Sequence, residues 1–100
     1  MASSITGNAG GASASGAGVY LVNTSGAFAP IIGAADSNGN FTFSGLVAGT
    51  YTLSAGGNFG SGAYYNSTAK KSFIYRSTVD ITVDGSTAYT GIIIPAPTAP

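Results

Sequence analysis

Apolar and polar residues alternate along two short runs near the middle of the chain, Asn40-Phe41-Thr42-Phe43-Ser44 and Thr50-Tyr51-Thr52-Leu53-Ser54. A period of two puts Phe41, Phe43, Tyr51, Leu53 and Ala55 on one face and Thr and Ser on the other, the pattern of half-buried strands. Both runs are flanked by turn chemistry. Asn38-Gly39 tolerates positive φ and predicts a tight hairpin before the first run. Between the runs, Gly45 and Gly49 bracket an apolar plug, Leu46-Val47-Ala48, and the two runs read as a central hairpin.

The same reading extends in both directions. A short strand is expected near Ser4–Gly7, followed by a glycine-rich connection over 10–16. Val19–Asn23 is a clear strand, stopped by Thr24-Ser25-Gly26. Pro30 lacks a ladder donor and belongs at a strand start or edge, just ahead of Ile31-Ile32. After a mobile glycine-rich loop over 56–62, residues 63–66 read as either a short edge strand or part of that loop, and strands are expected over 72–75 and 77–83, with Phe73, Val79, Ile81 and Val83 facing a core. Asp84-Gly85 is a second compact hairpin signal before the last strand, 87–94. Three consecutive isoleucines, Ile92-Ile93-Ile94, cannot share one face, so Ile93 must meet a second layer or a partner. The residues 95–100, PAPTAP, are proline-spaced and read as an extended tail, a linker or docking arm. No helical period persists beyond a turn, and no internal repeat is present. The expected division is a flexible N-terminal strand or arm over 1–18, a sandwich core over 19–94 and the tail over 95–100.

Residues 36–53, DSNGNFTFSGLVAGTYTL, resemble the core signature of carboxypeptidase regulatory-like domains, relatives of the transthyretin-like and Cna-B-like sandwiches. Ile5-Thr6-Gly7 is similar to that family's first strand and Gly18–Val22 to its second. The resemblance implies an all-β fold, a seven- to eight-stranded antiparallel β-sandwich of immunoglobulin/transthyretin-like type. Such domains are normally accessory modules rather than catalysts, and a shared fold carries little functional information.

Composition narrows the classes of function. Only 6% of residues are charged, against about 25% in ordinary soluble proteins. Lys70, Lys71 and Arg76 balance Asp36, Asp80 and Asp84, so the net charge is zero. That removes the basic footprint that nucleic-acid binding needs, and it leaves little electrostatic protection against association. No run approaches the roughly 18 apolar residues that cross a membrane as a helix, and membrane insertion is not expected. The first residues have neither the positive nor the apolar region of a secretory leader, which suits a mature surface chain or one assembled where it is made.

The chemical inventory is short. Without His, Cys or Glu, no disulfide, thiolate site or neutral-pH base is available. Asp80 and Asp84 share a strand parity but read as solvent-facing solubilisers, and no catalytic residue is expected. Asp36-Ser37-Asn38-Gly39-Asn40 places oxygens at alternate positions, yet the places of an EF-hand glycine and glutamate hold Phe41 and Val47. Asp36 is therefore expected to cap its own turn, with no metal and no cofactor. Cna-B-like relatives sometimes carry a Lys–Asn amide crosslink. The early strands here have no lysine, and there is no Glu to shuttle the proton, so none is expected. Asn23, Asn40 and Asn66 each open an N-glycosylation pattern of low specificity. Tyr64 and Tyr65, with Tyr75 and Tyr89, form either an aromatic platform or stabilising cross-strand pairs.

These readings converge on a non-enzymatic structural module bound by protein contacts, either to itself or to a host assembly such as a capsid lattice. The first setting is a decoration or fibre protein on a phage virion surface. The alternative is an accessory or spacer domain of a secreted bacterial surface protein, with its tyrosines contacting carbohydrate. The candidate partner contacts are Ile93, Pro95, Pro97, Tyr64 and Tyr65.

Overall fold

A computed structural model describes residues 2–58, 60 and 62–100. The chain is all-β. Its described strands are β1 (Ser3–Asn8), β2 (Gly18–Asn23), β3 (Ile31–Ala34), β4 (Asn40–Leu46), β5 (Gly49–Gly56), β6 (Tyr64–Asn66), β7 (Lys71–Phe73), β8 (Val79–Val83) and β9 (Ala88–Ile93). One sheet has the order β4-β1-β9 and the other β3-β2-β5-β8, while β6 and β7 form a small separate hairpin. The alternation read from the sequence sets the core between the two large sheets. Ile5, Phe41 and Phe43 come from the first, and Val19, Leu21, Tyr51, Leu53 and Val83 from the second.

Three details depart from the antiparallel sandwich expected. First, β1 and β9 pair in parallel. Gly7 allows this close pairing, because a Cβ there would lie 2.1 Å from the Ile92 carbonyl oxygen and 2.7 Å from Phe41 Cζ. Second, β4 and β5 are not a hairpin. They lie in different sheets, and the chain crosses between them after Gly45, which has φ +70°, while Leu46 plugs the core. The Asp36–Asn40 turn and the Asp84-Gly85 turn also carry the chain from one sheet to the other. Turn residues encode a tight reversal of direction; whether the reversed strand pairs with its predecessor depends on the packing of both sheets.

Third, both ends are integral. β1 is the central strand of its sheet, so residues 3–8 of the expected arm belong to the sandwich. The glycine-rich connection forms a 3-10 turn over Gly11–Ala14, with Ala14 buried. Residues 95–100 lie along the domain, joined to it by an isolated bridge between Thr98 and Ile74. Thr98 exchanges both backbone hydrogen bonds with Ile74 at 2.8 and 3.0 Å. Arg76 donates to Thr98 Oγ1 and to the Ala99 carbonyl, at 3.2 and 3.1 Å. Of the glycine-rich loop over 56–62, Phe59 and Ser61 lie outside the described residues, as does Met1; Gly57 and Gly62 exchange hydrogen bonds at 2.9 and 2.8 Å.

Candidate functional site

The surface chemistry is concentrated at one edge of the second sheet. There β3 has β2 on one side and no strand on the other among the described residues. Pro30 starts this strand and contributes no donor, and the following residues alternate in direction. Ile32 pairs with Tyr20 and points outward, 62% exposed. Ile31 pairs with the buried Leu21 and points between the sheets, yet it remains 37% exposed because the sandwich is open there. Phe28 and Val47 flank it, 48% and 51% exposed. Phe28, Ile31, Gly45, Leu46, Val47 and Tyr51 line a shallow pocket of about 190 Å³. Tyr51 spends its hydroxyl on the Val47 carbonyl at 2.9 Å, which fixes the pocket wall. Four exposed large apolar side chains gathered on one edge make it the candidate contact surface.

The residues expected to meet a partner are distributed differently. Ile93 is 61% exposed on β9, between the inward Ile92 and the fully buried Ile94, and Pro95 is also exposed. Pro97 is buried beside Gly10, so it packs within the domain rather than on its outer surface. Tyr64 and Tyr65 separate. Tyr65 faces out, whereas Tyr64 is buried, stacks on Tyr75 at 5.8 Å between ring centroids and donates its hydroxyl to the Ser13 carbonyl. Tyr75 donates to the Ala9 carbonyl at 2.6 Å. Burial holds both phenols above the ordinary tyrosine range, and for Tyr75 the neighbouring Tyr64 adds to the effect. The pair is a structural clamp on the 9–14 segment, not a platform.

The polar candidates also serve the fold. Asp36 Oδ1 accepts the amides of Asn38 and Asn40 at 2.8 and 2.9 Å, the expected turn cap, and these bonds hold its carboxyl below the usual range. Asp84 accepts from the Thr87 hydroxyl and from the amides of Ser86 and Thr87, which lower its pKa strongly. Asp80 instead accepts from Thr52 Oγ1 on β5 at 2.9 Å, so the two carboxylates have separate partners. Asn66 is fully buried. It donates to the Ala12 and Ser13 carbonyls and accepts from the amides of Thr68 and Ala69. That leaves neither a glycan acceptor nor an amide free for crosslinking to Lys71, its cross-strand neighbour. Among the described residues, no group of three or more metal-ligating side chains comes together.

Sequence reasoning missed Phe28, Ile31, Ile32 and Val47 as a group. The signal was present: Ile31-Ile32 are adjacent apolar residues on a proline-started strand, and two neighbours on a strand cannot face the same core.

No family model and no curated protein matches the chain. Its fold is similar to that of a solved structure, the major pilin subunit BcpA of Bacillus cereus, with a TM-score of 0.66 over 100% of this chain at 15% sequence identity. The chain spans 31% of that pilin's length. At this identity the likeness establishes the sandwich fold and nothing beyond it.

Proposed function

We propose that this chain is a non-enzymatic structural module, held by protein–protein contacts within a larger surface assembly. The observation that carries this reading is the uncharged apolar edge of Phe28, Ile31, Ile32 and Val47, open on a sandwich whose buried side-chain polar atoms, among the described residues, all have partners. An exposed, uncharged apolar patch suits a partner surface of the same character. Carboxylates tied up in turn caps (Asp36, Asp84) or on a cross-strand threonine (Asp80) offer no equipment for general acid–base work.

The fold shared with a pilin subunit supports a place in a bacterial surface polymer, where the module is an accessory or spacer domain and a carboxypeptidase regulatory-like relative. Decoration of a repeating lattice such as a phage virion is the second reading. It rests on the composition, since a surface with six charged residues in total suits close packing among many copies. Carbohydrate contact in either setting falls to Tyr65, the exposed member of its pair.

A photo-crosslinker placed at Val47 in the source cells tests the reading. It is expected to join the chain to a protein component of a high-mass surface or particle fraction, while one at Thr82 on the opposite edge of the sheet does not. Protein recovered free of any assembly, or joined equally from both edges, would overturn it.

A further inference from the structure

The open β3 edge is built to pair with its own copy. We infer that two chains associate through β3 in antiparallel register about a two-fold axis normal to the sheet, joining two four-stranded sheets into one of eight strands. The inference rests on the assembly reading above and names the partner at that edge as a second copy of this chain.

Three observations support it. The first is side-chain fit. A two-fold axis through Ile32 sets Ile32 opposite Ile32 of the second copy, both on the outer face, as a direct pair of β-branched side chains. The same register sets the inward-facing Ile31 of each chain opposite Gly33 of the other. Gly33 has no side chain, and its missing Cβ position lies 3.1 Å from the edge of the Phe43 ring. The Phe43 ring occupies the space that a side chain at 33 would take, and in this register the partner's isoleucine faces that aromatic edge.

The second observation is charge. No charged residue occurs in 1–35 or in 37–69, so β2, β3, β4 and β5 are all neutral and two copies approach without like-charge repulsion. The third is the contrast between edges. At the far side of the same sheet, β8 carries Asp80 in mid-strand, a charge that discourages strand addition. Edge β3 has no such charge and exposes isoleucine instead. Pro30 limits the pairing to a four-residue strand, so the contact closes as a dimer and does not propagate.

The chain has no cysteine, so a single introduced thiol reports on this geometry alone. Directly opposed residues of an antiparallel pair lie about 4.5–5.5 Å apart at Cα, within the reach of a disulfide. Under mild oxidation, Ile32→Cys should give disulfide-linked dimers at least ten times faster than Thr82→Cys on β8. Light scattering of the unaltered chain over a concentration series should show the mass rising from one chain toward two. Ile32→Lys should hold it at one without loss of folding, because that side chain points to solvent in the single chain. Equal crosslinking at both positions, or a dimer untouched by Ile32→Lys, would overturn the inference. A single-chain mass at every concentration would overturn it too. If Val47 still crosslinks into a high-mass assembly in that case, the assembly reading stands with a different protein at this edge; if both tests fail, both readings fall.

Discussion

Asn66 is the polar keystone of the domain, and removing its amide gives a sharp test of how the glycine-rich N-terminal segment is held. Its side chain is fully buried and makes four hydrogen bonds, two to the 3-10 turn and two to the turn that follows β6. In Asn66→Ala, the amides of Thr68 and Ala69 sit in an exposed turn and can turn to water, while the carbonyls of Ala12 and Ser13 each lose one of two donors, keeping the Ser15 amide and the Tyr64 hydroxyl. At about 1 kcal/mol for each of the four neutral bonds, offset in part where the turn amides meet water, the expected loss is about 2–4 kcal/mol. For a domain of this size that lowers Tm by roughly 8–16 °C. The assay is a thermal melt followed by circular dichroism, with urea unfolding to confirm an unchanged m-value. Asn66→Asp should be worse at neutral pH, because a carboxylate would face two carbonyl oxygens, and should recover in part when acid restores a donor. A melting point for Asn66→Ala within about 2 °C of the parent would refute the argument, since a segment with so little apolar side chain would then need some other anchor.

Three further outcomes follow from the packing and the titrations. Phe43→Ala removes a buried ring between Phe41 and β3 and should cost about 3–5 kcal/mol in denaturant unfolding; a parent-like midpoint would displace Phe43 from the core. Tyr64 and Tyr75 have pKa values raised above the ordinary 10.0, so the folded state keeps protons that the unfolded state releases. Their contribution is complete below about pH 10 and is lost as pH rises beyond it, so unfolding and tyrosinate absorbance should appear together; ionisation of every tyrosine in a still-folded chain would contradict this. Asp84 has a pKa lowered from 3.8, so its contribution is complete above that value and is lost as pH falls through it. The fall in Tm between about pH 4 and pH 2 should be shallower in Asp84→Ala than in the parent.

The core was legible in the sequence because burial there follows a period of two: Phe41, Phe43, Tyr51 and Leu53 are all at most 5% exposed. Sheet membership was not legible. Asn38-Gly39 and Asp84-Gly85 specify a reversal of direction, and the same residues serve a hairpin or a corner between sheets. The 10–16 segment reads as mobile because local composition lacks large apolar groups. Its order comes from Asn66 and Tyr64, more than fifty residues away, and such long-range hydrogen bonds leave no local pattern. Likewise PAPTAP reads as a free extended tail, while Ile74 and Arg76 supply the bonds that hold it. The apolar edge was half legible: Ile31-Ile32 announced an outward isoleucine, but Phe28 and Val47 join it through the corner between β4 and β5.

We propose that the edge formed by β3 and the β4–β5 corner is where this module meets its partner. Amide hydrogen exchange, compared between the dilute chain and the assembled state, tests it most directly. Protection should be gained at 31–34 and around 45–47, with β8 unchanged. Protection gained at β8 or β9 while 31–34 exchanges as before would contradict it.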